Sequence, residues 1–273
     1  MRVYLPNPFT MKLLFSASVG LCLFISLTGS YLARRASVKA PLTLAPAAAP
    51  SHALFDKLLK KHVDNAGMVN YKGFANDKAE LTTYLNTLSK NPPATNWSKA
   101  EQLAYWINAY NAYTIQLILN HYPVKSIKDI GSKIKIPFVN TPWDIKFIKI
   151  GNETYDLNNI EHGIIRKQFN EPRIHFALVC AAKSCPRLRN EAFEASRLNA
   201  QLDDQAVDFL NSPGKNSITP KQASLSKILD WYGGDFKKQG LSVKDVVNKY
   251  SKTKITDDTK ISYQIYDWSL NEQ

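Results

Sequence analysis

The chain has no dense block of basic residues. Its 35 lysines and arginines against 23 acids give a formal charge of +12, but the lysines are scattered from Lys60 and Lys61 through Lys125, Lys128, Lys133, Lys146 and Lys149. No finger, helix-turn-helix or single-strand-binding signature accompanies them, which excludes nucleic acid as the expected partner. The excess suits anionic lipid or cell wall instead. There is no internal repeat and no regular βαβ alternation, so neither a repeat architecture nor a parallel α/β sheet is expected. No acidic residue precedes Asp56. Cysteine occurs three times, and Cys22 lacks a lipobox before it, so lipidation is not expected.

What the N-terminus does have is the outline of an export signal. Arg2 and Lys12 precede an uncharged apolar run over 13–27, followed by "TGS" at 28–30. The rival is an uncleaved anchor, because 13–33 is free of charge and long enough for a bilayer core of ~30 Å. Residues 1–33 are therefore read as a signal peptide, favoured over a membrane anchor. Both readings place the body outside the cytoplasm, in the periplasm or its equivalent. Residues 34–50, rich in alanine and proline, read as a tether. Residues 51–273 form the globular part, and 44% hydrophobic content lets it bury a core.

Within that part, short helices are expected over 54–63 and 77–88, the latter stopped by Pro92 and Pro93. Ser98 and Glu101 form an S-x-x-E capping box, after which Leu103, Trp106, Ile107, Tyr110, Thr114, Leu117 and Ile118 share one helical face. A hairpin over 143–156 turns at Gly151 and Asn152. Asn158 caps a helix that stops before Pro172. The apolar run 174–180 reads as a buried strand, and Phe193, Leu198, Leu202, Ala206 and Leu210 mark another helix. A strand pair near 216–227, a helix at 241–250 and a strand near 260–266 follow. The expected class is α+β, one domain with a small, mostly antiparallel sheet.

The stretch "RIHFALVCAAKSCPRLRN" holds the chemistry. Strand alternation puts Cys180 with Phe176 and Leu178, and His175 on the opposite face, so Cys180 reads as a small core residue. Cys185 falls in a loop between Lys183 and the arginines 187 and 189, where cations lower a thiol's pKa from about 8.5 and favour a nucleophile. His162 and His175 are the candidate bases. Two alternatives stay open: a Cys180–Cys185 disulfide, which needs a sharp reversal of the chain, and a zinc site of His162, His175, Cys180 and Cys185, which strand parity disfavours. No cofactor is expected. Asn108 and Asn111, one turn apart, either pin a neighbouring loop or orient a histidine or a substrate carbonyl. "LDWYGGDF" and "YDWSLN" are aromatic-rich and either line a groove or fill the core.

Four ordered motifs resemble one family, the domain of unknown function numbered 547: "AYWINAYNAYTI" (104–115), "TPWD" (141–144), "LNNIEHGIIR" (157–166) and "PRIHFALVCAAKSCPRLR" (172–189). The flanking "WYGGDF" and "YDWSLN" look like those of bacterial members. The family-like core spans 98–211. The resemblance puts Asn108, Asn111, His162, His175, Cys180 and Cys185 on motif positions. Ala181 stands where many members are expected to have glycine. It implies no defined activity; related plant domains follow leucine-zipper segments, which fits an interaction module as well as an enzyme. An amide-bearing helix before a histidine strand is also similar, at fold level only, to papain- and transglutaminase-like arrangements, although their nucleophile opens the helix.

The leading expectation is thus an exported thiol hydrolase or acyl transferase using Cys185 with His162 or His175, and Asn111 or Asn108 in support. The alternatives are a non-catalytic domain binding a small molecule, a peptide or a cell-envelope component, and a redox or metal-handling protein.

Overall fold

Ser98 accepts a hydrogen bond from the Glu101 amide while Glu101 reaches back to the Ser98 amide, and the long helix that this capping box starts is the centre of the fold. The computed structural model describes residues 48–131 and 141–273. They lie in one compact unit, Ala45–Gln273. The leader and most of the tether lie outside the described residues. Among those described, no helix is long and apolar enough to cross a membrane.

Helices α1 (Ala53–His62), α2 (Tyr71–Asn76) and α3 (Lys78–Lys90) gather around α4 (Lys99–His121). All seven residues of the expected apolar face of α4 are buried, and so are Ala104, Tyr105, Ala109, Ala112 and Tyr113 on its other sides. A helix covered all round needs apolar or small residues all round, which the alanines and tyrosines supply. Burying each large side chain contributes about 1.5–3 kcal/mol. The hairpin is β1 (Ile148–Ile150) with β2 (Glu153–Tyr155), turning at Gly151, whose φ is +60°. A π-helix over Asn159–Ile165 and one α-turn, α5 (Arg166–Gln168), follow.

Next come α6 (Leu198–Asn211), then β3 (Ser217–Ile218), β4 (Gln222–Leu225) and β5 (Lys260–Tyr263). The order β3-β4-β5 pairs the first two antiparallel and the last two parallel. Between β4 and β5 lie α7 (Lys227–Trp231), α8 (Gly233–Lys237) and α9 (Val243–Tyr250). Small sheets beside segregated helices make the class α+β, as expected. One apolar core surrounds α4; a second lies between α6, α9 and β4. Tyr266 packs against both, so the seam between them passes through the C-terminal segment.

Two expectations fail here for identifiable reasons. Residues 174–180 form no strand: Pro172–Phe176 is a 3-10 helix and the chain continues irregularly. Its buried backbone is satisfied by side-chain amides rather than by a ladder. Asn111 Nδ2 donates to Ala177 O and its Oδ1 accepts from Val179 N, both at 3.0 Å, and Gln205 Nε2 donates to Phe176 O at 2.8 Å. Asn158 is not the helix cap either. Asp156 does that work, accepting from the Asn159 amide at 2.6 Å, while Asn158 donates to Asp144.

Candidate active site

The two thiols meet where the chain reverses. Ala181 adopts φ +59°, the left-handed conformation that costs an L-residue about 1–2 kcal/mol and that glycine accepts freely. Glycine at this position would carry no such cost. The reversal brings the Cys180 and Cys185 sulfurs to 2.6 Å, with no bond between them, and aims the Cys180 amide at Cys185 Sγ, 3.2 Å away. Strand parity had separated Cys180 from His175; without a strand, both face one cavity.

The C-terminal segment straps this loop in place. Lys183 N donates to Ser269 O, Ser184 N to Asp267 O, and Asn271 N to Ala181 O. The strap delivers the Tyr266 hydroxyl to Cys185 Sγ at 3.1 Å and within 3.6 Å of Cys180 Sγ. Behind the loop, a Cβ on Gly67 would come within 2.5 Å of Arg187 Cβ, so that backbone approach requires glycine. Lys215 donates to the carbonyls of Cys185 and Lys183.

Cys185 is buried, not exposed as its loop position suggested. Nor do the arginines activate it, since Arg187 pairs with Asp204 and Asp208, and Arg189 with Glu191 and Asp204. Burial pushes its thiol up, yet hydrogen bonds from the Cys180 thiol, the Tyr266 hydroxyl and the Ala182 and Cys180 amides outweigh it and bring the pKa down to about 7. Its partner behaves oppositely. Bonding to Cys185 and burial push the Cys180 thiol well up.

Glu161, His162, His175 and Tyr232 line the same cavity. The π-helix, a distortion often found at functional sites, sets Glu161 and His162 beside the cavity. Glu161 Oε1 accepts from the Tyr232 hydroxyl at 2.7 Å. Burial and this carboxylate push the Tyr232 pKa far up. His175 stacks on the Tyr232 ring at 3.7 Å between centroids, and its Nε2 bonds Asp235 Oδ2 at 2.9 Å. Hydrogen bonds from His175, Arg166 and Lys238 hold Asp235 well below the usual carboxylate range, so it stays ionised and fixes the proton on His175 Nε2. Burial lowers the His175 pKa although Asp235 acts the other way, which favours the neutral ring. His162 is less suited, since its Nδ1 lies 3.0 Å from the Arg166 guanidinium.

The cavity is about 300 Å³ in volume, floored by Tyr110 of α4 and rimmed by Trp143, Trp231 and Trp268. Trp268 meets Trp143 edge-on and stacks with Trp231, while Tyr266 packs against both Trp231 and Trp268. The aromatic C-terminal motifs thus line a groove.

Residues 94–210 match the model of the family described as "Protein of unknown function, DUF547". That segment carries the family's pattern. No curated protein and no solved structure matches the chain. The DUF547 segment contains both thiols, both histidines and Glu161, but ends before Trp231, Tyr232, Asp235, Tyr266 and Trp268. The rest of the chain therefore completes a cavity whose chemical groups the family segment begins.

Of the six expected site residues, the fold brings Cys180, Cys185, His162 and His175 to this cavity. Asn108 and Asn111 are elsewhere engaged. Asn108 exchanges two hydrogen bonds with the Phe193 backbone, and Asn111 spans Ala177 and Val179. Both are pins. Among the described residues, no group of three or more His, Cys, Asp or Glu is placed to hold a metal ion, so the four-ligand zinc arrangement is not assembled. Sequence reasoning missed Tyr266, Tyr232 and Asp235. Their signal was the aromatic character of "WYGGDF" and "YDWSLN", which marks a surface but not its partners.

Proposed function

We propose that the protein is a thiol-dependent hydrolase or acyl transferase with Cys185 as nucleophile and His175 as its acid–base partner. The observation that carries this reading is the Cys185 sulfur, held by three kinds of hydrogen-bond donor at the wall of an aromatic-rimmed cavity. A thiol with a pKa of about 7 is substantially ionised at neutral pH, which is what nucleophilic attack requires. His175 accepts at Nδ1 the proton that Cys185 gives up and passes it to the leaving group as the thioester forms. Water or another acceptor then loses a proton to the same atom and releases the acyl group. Asp235 holds the ring and steadies the imidazolium.

This reading prefers His175 over His162 because a carboxylate orients the first, whereas a guanidinium occupies the second. Export through the leader, and an anionic envelope as the working environment of a strongly basic chain, belong to the same proposal.

The test combines the pH dependence of Cys185 alkylation by iodoacetamide with turnover of p-nitrophenyl esters. Alkylation should follow a midpoint near 7. Ester turnover beyond one acyl group per chain should vanish in Cys185→Ser and fall at least tenfold in His175→Ala. Turnover that survives Cys185→Ser overturns the proposal, as does an alkylation midpoint in the ordinary thiol range.

A further inference from the structure

Acyl chemistry uses one sulfur, but the fold positions two. The left-handed turn at Ala181 reverses the chain so that Cys180 and Cys185 touch, although five residues apart such thiols have no need to meet. Tyr266 lies within reach of both sulfurs and is held there by the strap, so one hydroxyl can serve whichever thiolate forms. Cys180 is half-buried at the cavity wall while Cys185 is fully buried, yet both sulfurs line the space.

We propose that Cys180 and Cys185 form a thiol–disulfide exchange couple that reduces small disulfides entering the aromatic-rimmed cavity. Cys185 thiolate attacks one sulfur of the substrate R–S–S–R. The Cys185–S–S–R bond forms, the substrate S–S bond breaks, and RS⁻ leaves and takes up a proton. Cys180 gives its proton to the same pool and attacks the Cys185 sulfur, closing the Cys180–Cys185 bond and releasing the second RS⁻. The substrate gains two electrons and the dithiol loses two. A second thiol compound outside the protein returns it to the reduced state.

The roles of the two sulfurs follow from their surroundings. Cys185 receives the donors, so it carries the negative charge and attacks; Cys180, the donor of the pair, resolves. The loop between them is short, so the bond gains little chain entropy and stays reversible. A cavity of about 300 Å³ admits a low-molecular-weight disulfide and excludes one buried in a folded protein. The couple shares Cys185 with the acyl-transfer reading but needs neither His175 nor an acyl substrate.

Hydroxyethyl disulfide, small and uncharged, is the probe, and intact-mass and peptide mass spectrometry on the full chain give the readout. The wild type should lose two hydrogens and show a Cys180–Cys185 peptide without a lasting adduct. Cys180→Ser should accumulate one hydroxyethylthio group on Cys185, and Cys185→Ser should react at Cys180 roughly tenfold more slowly. A lasting adduct on Cys180 or Cys185 of the wild type, or equal labelling of the two single variants, overturns the couple. Reduction of insulin disulfides as fast as of hydroxyethyl disulfide overturns the substrate class. Thermal melts of both variants, with Cys180→Ala as a second resolving-thiol variant, separate lost folding from lost chemistry. His175→Ala separates the two readings: it should lose ester turnover and still close the Cys180–Cys185 bond, because the exchange step does not use the imidazole. If the wild type exchanges disulfides but turns over no ester, the acyl reading fails alone.

Discussion

Asn111→Ala tests the central claim that side-chain amides replace a strand in front of the thiols. The amide is buried and makes two hydrogen bonds of 3.0 Å, to Ala177 O and from Val179 N, and both of those residues are buried as well. Truncation strands a carbonyl and an N–H in the core, each costing about 1–3 kcal/mol. We expect a loss of about 3 kcal/mol, which for a unit of this size lowers Tm by about 6–12 °C. Urea unfolding followed by tryptophan fluorescence gives the stability. The iodoacetamide midpoint of Cys185 gives a second readout, because Val179 leads directly into Cys180, whose amide faces the Cys185 sulfur. Asn108→Ala is the control. It strands equivalent groups at Phe193, eight residues beyond Cys185 rather than next to either thiol, so it should destabilise comparably and leave the midpoint alone. A cost below about 1 kcal/mol for Asn111→Ala, or equal midpoint shifts in the two variants, would refute the reasoning.

Ala181→Gly should raise the urea midpoint by the equivalent of about 0.5–1 kcal/mol, because relief of the left-handed strain at φ +59° exceeds the added entropy of the unfolded chain; a lower midpoint contradicts the turn geometry. Tyr266→Phe removes the hydroxyl from Cys185 Sγ and should move the alkylation midpoint upward from about 7, with little change in secondary structure by circular dichroism; an unmoved midpoint means the hydroxyl does not stabilise the thiolate. Acid should destabilise the fold in two stages. Burial holds His175 below its ordinary value, so the unfolded chain takes up that proton first and stability falls as pH drops below about 6.5. The hydrogen bond from His175 leads those that depress Asp235, whose contribution is complete above the ordinary carboxylate value of about 3.9 and is lost as pH falls below it. Urea midpoints at pH 8, 5.5 and 3.5 check this, and His175→Gln should reduce the first stage and leave the share of His52, which burial lowers to about 4; a midpoint that rises between pH 8 and 5.5 contradicts it.

Local signals were legible because they act over a few residues. The Ser98–Glu101 box and the apolar period located α4, and the glycine at 151 located the hairpin turn. The same local logic misled at the site. The run 174–180 has the composition of a buried strand, and nothing in its own residues says that Asn111 and Gln205, from helices before and after it, take over its backbone groups. Once the strand was assumed, alternation sent His175 and Cys180 to opposite faces, and one wrong period separated groups that share a cavity. The activation of Cys185 was misread for a related reason. Sequence neighbours suggested arginines as its cause, but those charges are neutralised by carboxylates of α6 and Glu191, and one of the donors that lower the thiol, Tyr266, lies eighty-one residues on. The hydrogen bonds that lower the Cys185 thiol thus come both from the loop, through the Cys180 thiol and the Cys180 and Ala182 amides, and from the strap, through Tyr266. It follows that a chain with an intact cysteine motif and a displaced strap should keep the loop's share of that lowering and lose the share that Tyr266 supplies.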